Sequence, residues 1–290
     1  MPRTLHFWVL GGDLRQVKLA RLLQEDGHSV QTYAMEHRPD PGSLPGSDTI
    51  RGIEQADCVI LPLPMTGERG LLNCALSDLH VSADEIFAHL IPGQLVCAGK
   101  VPPKFRVLAE RKGLILRDYF EREELAVANA VPTAEGAIQI AMEELPTTLF
   151  GLDVLIIGYG RLGKILAHRL KGLGAQVTVS ARKYSDLAWI EAYGYRPERT
   201  DQLTGWLGVY DLIINTVPTR IIGEAQLADL KENSLVIDLA SSPGGVDRTA
   251  AAQQGVKVIW ALSLPGKAAP DSSGRIIRDT IYHIMQELEL

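Results

Sequence analysis

Cysteine, positive charge and long apolar runs are all scarce in this sequence. Three cysteines occur among 290 residues, Cys58, Cys74 and Cys97. None falls at a CxxC or Cys/His ligand spacing, which excludes a disulfide framework and a structural metal site and leaves free thiols of a reducing compartment. The formal charge of −6 offers no basic field to a nucleic-acid backbone, so nucleic acid is not an expected partner. No apolar run nears membrane-spanning length. The early run in "LHFWVLGG" breaks at glycines, as a buried strand does, and is too short for a signal-peptide core. These absences predict a cytoplasmic chain that engages no membrane. One further absence bears on chemistry: a glycine-rich turn in the second half is followed by a strand that does not end in an acid.

What is present is ordinary globular material. At 46% hydrophobic and 22% charged residues, the chain can bury two cores. Its two halves follow one plan. The first runs "LHFWVLGG", the helical "DLRQVKLARLLQEDG", the strand "HSVQTYAM", the short apolar runs "ADCVILPLP" and "GQLVCAGK", then "FRVLAERKGLILRDY". The second runs "DVLIIGYG", a helix, "AQVTVSAR", "YDLIINTVP", "NSLVIDLASSPGG" and "AAQQGVKVIWALSLPG". Continuous apolar strands alternating with helices predict parallel sheets covered on both faces. The expected architecture is therefore α/β: two doubly wound Rossmann-like domains with a cleft between them. Residues 1–130 form a substrate-side domain, 131–150 an interdomain helix starting at Pro132 and Thr133, and 151–274 a dinucleotide-binding domain. A final amphipathic helix over 275–290, with Ser272 or Ser273 as its cap, repeats Ile277, Ile281, Ile284 or Met285, and Leu288 at helical spacing. It is expected to return to the first domain, although a homo-oligomer interface fits the same stripe.

Gly158, Gly160 and Gly163 follow a buried strand and open a helix, the context that gives the GxGxxG spacing meaning. Gly158 permits the turn, Gly160 lets backbone approach a pyrophosphate, and Gly163 lets helix and strand pack closely. Unpaired N–H groups at the helix start then favour the phosphates. Tyr159, Arg161 and Leu162 lie within this turn. An NAD site usually ends its second strand in Asp or Glu. Here the strand ends in Ser180, Ala181, Arg182 and Lys183, a hydroxyl and two cations that suit a 2′-phosphate. The cofactor expected is NADP, against the bland reading of a solvated basic turn. Ligands sit beyond strand C-termini in such sheets, so Thr216, Val217, Pro218, Ala240 and Ser241 should approach the ribose and nicotinamide. Leu264, Pro265 and Lys267, in a Pro-Gly-Lys turn, should lie on the same edge.

In the first half "GGDLRQ" departs from GxGxxG. Asp13 caps the helix and opposes an anion there, so no second dinucleotide is expected. Arg15 is either a carboxylate-gripping fork or an ordinary surface arginine. Lys100 is a second anion-binding residue. Asn129, Thr133 and Glu135 fall where the halves join, at an expected cleft wall; Asp13, Arg15, Lys100, Asn129 and Thr133 are the expected substrate-binding residues, with Thr133 equally readable as a helix cap. His283 reads as a helix-surface histidine.

The segments "GGDLRQ", "NAVPTAEGAIQIAMEE", "GYGRLGK" and "LPGKAAPDSSG" resemble the A-subunit family of dipicolinate synthases, in order and over essentially the whole chain. The resemblance implies NADP-linked oxidation of dihydrodipicolinate to dipicolinate. It also implies a partner, the flavoprotein-like B subunit, with expression in the mother cell of a sporulating bacterium. Combined with the residue reading, Arg15 and Lys100 would orient the dicarboxylate, and Lys267 or Glu135 would take the proton. Two alternatives stand beside this. A 2-hydroxy-acid dehydrogenase shares the fold but needs a late second-domain histidine, which "WALSLPGK" lacks. A nucleotide-binding scaffold subunit would leave catalysis to its partner.

Overall fold

Strands of three to six residues, the central ones largely apolar, form the inner part of two parallel sheets in the computed structural model, which describes residues 3–39, 42, 44–67 and 70–290. Two compact units result, Met1–Asn129 together with Ala269–Leu290, and Ala130–Ala268.

In the first unit β1 (His6–Leu10), β2 (Ser29–Tyr33), β3 (Gly46–Ser47), β4 (Cys58–Ile60), β5 (Leu95–Ala98) and β6 (Ile115–Asp118) pair in the order β3-β2-β1-β4-β5-β6, every pair parallel. Side chains alternate across the sheet. Trp8 and Leu10 enter one apolar layer with Phe87 and Phe105, while Phe7 and Val9 enter the other with Leu19 and Leu23. Helices α1 (Leu14–Glu25), α2 (Ala83–His89) and α3 (Pro103–Lys112) belong to this unit.

Helix α4 (Glu123–Glu144) links the units. It does not begin at Pro132 and Thr133; it starts upstream, with Glu123 and Glu124 in its first turn, and carries Pro132 in its interior. Acidic residues favour a helix start electrostatically, and the burial of Leu125, Ala130, Ala134 and Ala137 along the same helix outweighs the backbone bond that an interior proline forgoes.

The second unit repeats the strand order. Here β7 (Asp153–Ile157), β8 (Gln176–Ala181), β9 (Arg196–Arg199), β10 (Leu212–Asn215), β11 (Leu235–Asp238) and β12 (Lys257–Trp260) pair as β12-β11-β10-β7-β8-β9, again all parallel. Val154 and Ile156 face one core, Leu155 and Ile157 the other. The helices are α5 (Arg161–Gly172), α6 (Tyr184–Ala192), α7 (Glu224–Ala228), α8 (Arg248–Gln253) and the short α9 (Leu264–Ala268), the last standing where a turn is expected from "LPGK".

Helix α10 (Pro270–Glu287) packs on α1. Its N-cap is Ala269, not a serine, and Ser273 is buried inside the helix. Ile277, Ile281, Ile284 and Met285 enter the apolar layer containing Phe7 and Val9. The helices approach so closely that a Cβ on Gly274 would stand 2.7 Å from the Arg15 carbonyl oxygen. Arg122 on the approach to α4 donates to Glu287 at 2.5 and 2.7 Å and to Glu124 at 2.7 Å, fastening the far end of α10. Among the described residues no helix is long and apolar enough to cross a membrane.

Candidate functional site

Strand order reverses between β7 and β10, the point at which open α/β sheets leave a crevice beyond their strand ends. The glycine turn lies there, and its three glycines meet three different constraints. Gly158 has φ +102°, and a Cβ would lie 2.5 Å from Thr216 Oγ1 and 2.8 Å from Val217 Cγ2. At Gly163 a Cβ would fall 2.0 Å from the Gly158 carbonyl oxygen, so only glycine lets α5 seat on β7. Gly160 caps α5, and a Cβ there would meet nothing within 4 Å. No side chain caps this helix start. Its first N–H groups therefore face a space an anion can enter.

The loop after β10 closes against this turn. Thr216 donates its hydroxyl to the Ile157 carbonyl at 2.8 Å, while Val217 is half-buried and Pro218 exposed. Behind that loop lies a buried polar network that the sequence reading did not single out. Asp238 Oδ1 accepts from Asn215 Nδ2 at 2.8 Å and from the Ala240 N–H at 3.1 Å, and Oδ2 accepts from the Gly245 N–H at 2.8 Å. Asn215 also exchanges bonds with both backbone groups of Val217. The signal was available: Asn and Asp end the apolar runs "LIIN" and "LVID" in paired register, where polar residues persist only if bonded.

At the end of β8, Arg182 and Lys183 are exposed and their side chains enter no ion pair or hydrogen bond among the described residues. Ser180 does not join them. It is 0% exposed, and its hydroxyl accepts from Thr200 at 3.1 Å, because it stands within β8, in register with Ile157 and Glu198, rather than beyond the strand end. Ala181 is buried as well. Tyr159 and Leu264, expected at the cofactor, are core residues. Burial pushes the Tyr159 phenol up, and Leu264 packs 3.3 Å from the position a Gly136 Cβ would take. Leu162 and Pro265 are half-buried, Arg161 and Ser241 are exposed, and Ala240 is buried and reaches the edge only through its backbone, its carbonyl accepting from Trp260 Nε1 at 2.9 Å. Lys267 is exposed on α9 without a side-chain partner among the described residues. Glu135 is engaged in an ion pair with Arg169 at 3.1 Å, so it is not a free base.

The corresponding edge of the first unit is built differently. Asp13 caps α1 and forms a capping box with Gln16. The expected substrate fork of Arg15 is spent internally: its side chain is 9% exposed, Nε and Nη2 donate to the Asp13 carboxylate at 2.8–3.1 Å, and Nη2 donates to the Leu63 carbonyl at 2.6 Å. Asp13 is correspondingly a helix cap and a counter-ion. Lys100 stands at the end of β5 with φ +57°, a left-handed conformation that costs a side-chain-bearing residue about 1–2 kcal/mol. The carboxylate of Asp118 holds it there, accepting from the N–H groups of Lys100 and Val101 at 2.9 and 2.8 Å. Its side chain is exposed and unpaired among the described residues. Asn129 and Thr133 are half-buried within α4, so Thr133 is not a helix cap. No group of three or more His, Cys, Asp or Glu among the described residues could hold a metal.

Two parallel sheets in this strand order, one bearing an open glycine turn at its reversal point, define a dehydrogenase-type dinucleotide fold. Residues 126–252 match the NAD binding domain of the D-isomer specific 2-hydroxyacid dehydrogenases. Residues 6–120 match the N-terminal domain of the dipicolinate synthase A subunit. The A subunit of dipicolinate synthase from Bacillus subtilis (strain 168) is 32% identical over 294 residues, covering 100% of this chain and 98% of the relative. The crystal structure of the A chain of dipicolinate synthase from Bacillus subtilis superposes with a TM-score of 0.86 at 31% identity, covering 100% and 98% of the two chains. That of the corresponding dipicolinate synthase chain from Bacillus halodurans gives 0.87 at 28% identity, with 97% of each chain covered. The chain belongs to the A-subunit family of dipicolinate synthases.

Proposed function

We propose that this chain oxidises dihydrodipicolinate to dipicolinate with NADP, alongside the B subunit of dipicolinate synthase in the mother-cell cytoplasm of a sporulating bacterium. The observation that carries the reading is the start of α5: a helix capped by Gly160 alone, with open space where a Cβ would stand. A pyrophosphate fits that space and the N–H groups behind it. The two unpaired cations Arg182 and Lys183, on a strand end that lacks an acid, suit a 2′-phosphate and favour NADP over NAD. Thr216, Val217, Pro218 and Ser241 line the same edge.

When bound, the oxidised nicotinamide supplies the hydride acceptor. The substrate loses that hydride from one ring carbon and a proton from its neighbour, and the ring becomes aromatic. That gain drives the step, so the protein's task is to orient a dicarboxylate. Lys100, held in place by Asp118 with its ammonium free, is the carboxylate anchor of the first unit. Lys267, exposed on α9 of the second unit, is a further cation suited to a carboxylate.

Turnover of freshly prepared dihydrodipicolinate by the purified chain, followed by NADPH absorbance, tests the reaction. Absence of turnover without the B subunit, with NADP still bound, would instead favour the scaffold role. Changing Arg182 and Lys183 together to alanine should weaken NADP at least about tenfold, the scale of one charge-assisted contact, and leave NAD unchanged. Equal weakening of both cofactors would remove these residues from the phosphate site.

A further inference from the structure

We infer that Asp238 is a specificity-determining residue that makes the second unit bind the oxidised dinucleotide more tightly than the reduced one. The inference rests on the NADP reading above. In a sheet of this order the half formed by β10, β11 and β12 takes the nicotinamide mononucleotide. Asp238 is the last residue of β11, in register with Asn215 at the end of β10.

Its surroundings are those of a buried carboxylate with hydrogen-bond donors and no cation among the described residues. Asp238 is 1% exposed. Both oxygens only accept, from one side-chain amide and two backbone N–H groups, the pattern of the ionised form. It forms no ion pair among the described residues. The guanidinium of Arg248 lies 3.9 Å over the Trp260 ring instead. The chain also gives up side chains to admit it. A Cβ on Gly244 would stand 2.8 Å from Asp238 Oδ2, and one on Gly245 would stand 2.1 Å from Asn215 Nδ2.

Hydrogen bonds offset the burial of this carboxylate but leave its charge without a counter-ion. The oxidised nicotinamide ring is positive and the reduced ring is neutral. A fixed negative charge at the end of β11 in this half therefore attracts one redox form more than the other. The hydrogen bonds that tether the Val217 and Gly245 loops serve both forms alike, so shape and charge are separable. An enzyme that takes up the oxidised cofactor and must discard the reduced one gains from that asymmetry.

Calorimetric titration of the wild-type chain with NADP in both redox forms, and with 2′-phospho-ADP-ribose, which lacks the ring, should give the oxidised form an advantage of about fivefold, the scale of one solvent-screened charge pair. The reduced form should match the ringless analogue apart from contacts of the ring itself. Asp238→Asn should bring the two redox forms together. Asn215→Ser, which keeps the carboxylate but cuts the tether to Val217, should weaken both forms equally and preserve their ratio. A wild-type protein that binds reduced cofactor at least as tightly as oxidised overturns the inference, even if Asp238→Asn fails to fold. So does an Asp238→Asn protein whose ratio is unchanged. If the wild type binds neither form, the proposed function itself fails, a different outcome.

Discussion

Replacing Gly163 with alanine should unseat the first turn of α5, whereas replacing Gly160 should spare the fold and damage the ligand site. At position 163 the new methyl would stand 2.0 Å from the Gly158 carbonyl oxygen. Both partners are fixed to backbone, so no rotamer relieves the clash, and helix and strand must move apart. Overpacking of this kind costs about 1–3 kcal/mol, against at most about 1 kcal/mol returned by the better helix propensity of alanine. A net loss of about 1–2 kcal/mol, at roughly 4 °C per kcal/mol for a unit of this size, should lower the unfolding transition of the second unit by about 4–8 °C. At position 160 the backbone is already at φ −79° and the methyl meets no protein atom, so the loss is a weaker N-cap, about 0.5–1 kcal/mol. That methyl instead occupies the space assigned to the pyrophosphate, and NADP affinity should fall by about tenfold or more, a loss of roughly 1.4 kcal/mol. Differential scanning calorimetry and titration with NADP read the two effects separately. A Gly163→Ala protein that melts with the wild type, or a Gly160→Ala protein with full affinity, would refute the assignment of these glycines.

Lys100→Gly should stabilise the first unit by about 1 kcal/mol, by relieving the left-handed backbone, while weakening dipicolinate binding; Lys100→Ala should weaken binding without the gain, as thermal unfolding and titration would show. The hydrogen bond from Arg122 holds the Glu287 carboxyl below the usual carboxylate range. The unfolded chain then binds the proton more readily, so the stabilisation is present above about pH 4.3 and lost as pH falls through and below it. The melting-temperature gap between wild type and Glu287→Gln should therefore close on acidification. Burial pushes the Cys74 thiol up to about 11, so its alkylation by iodoacetamide should accelerate only as pH approaches that value. A rate that levels off near about pH 9, where an ordinary thiol is largely ionised, would contradict this environment.

Backbone rules made much of this fold legible in the sequence. The apolar runs around Val154 and Leu212, the turn glycines and the stripe through Ile277 and Ile281 each answer to one local periodicity or one forbidden Cβ. Side-chain commitments were harder to read. Arg15 looks like a carboxylate fork until the Leu63 carbonyl, distant in sequence, is seen accepting from it. Ser180 looks like a phosphate ligand until the strand is found to run past it and bury it beside Thr200. Thr133 looks like a cap because Pro132 usually starts helices, yet burial on both sides carries α4 through the proline. Asn215 and Asp238 escaped notice because their importance lies in each other, across two strands joined by a connection of about twenty residues.

The docking of α10 on α1 has a consequence for biosynthesis. The first unit is assembled from segments on either side of the second, and four of its buried side chains, Ile277, Ile281, Ile284 and Met285, leave the ribosome only after the whole second unit has been made. That second unit, encoded without interruption, can complete its own core while the first still exposes apolar surface along α1. A premature stop codon placed just beyond Ala268 would therefore leave the later-made unit whole and spoil the one synthesised first.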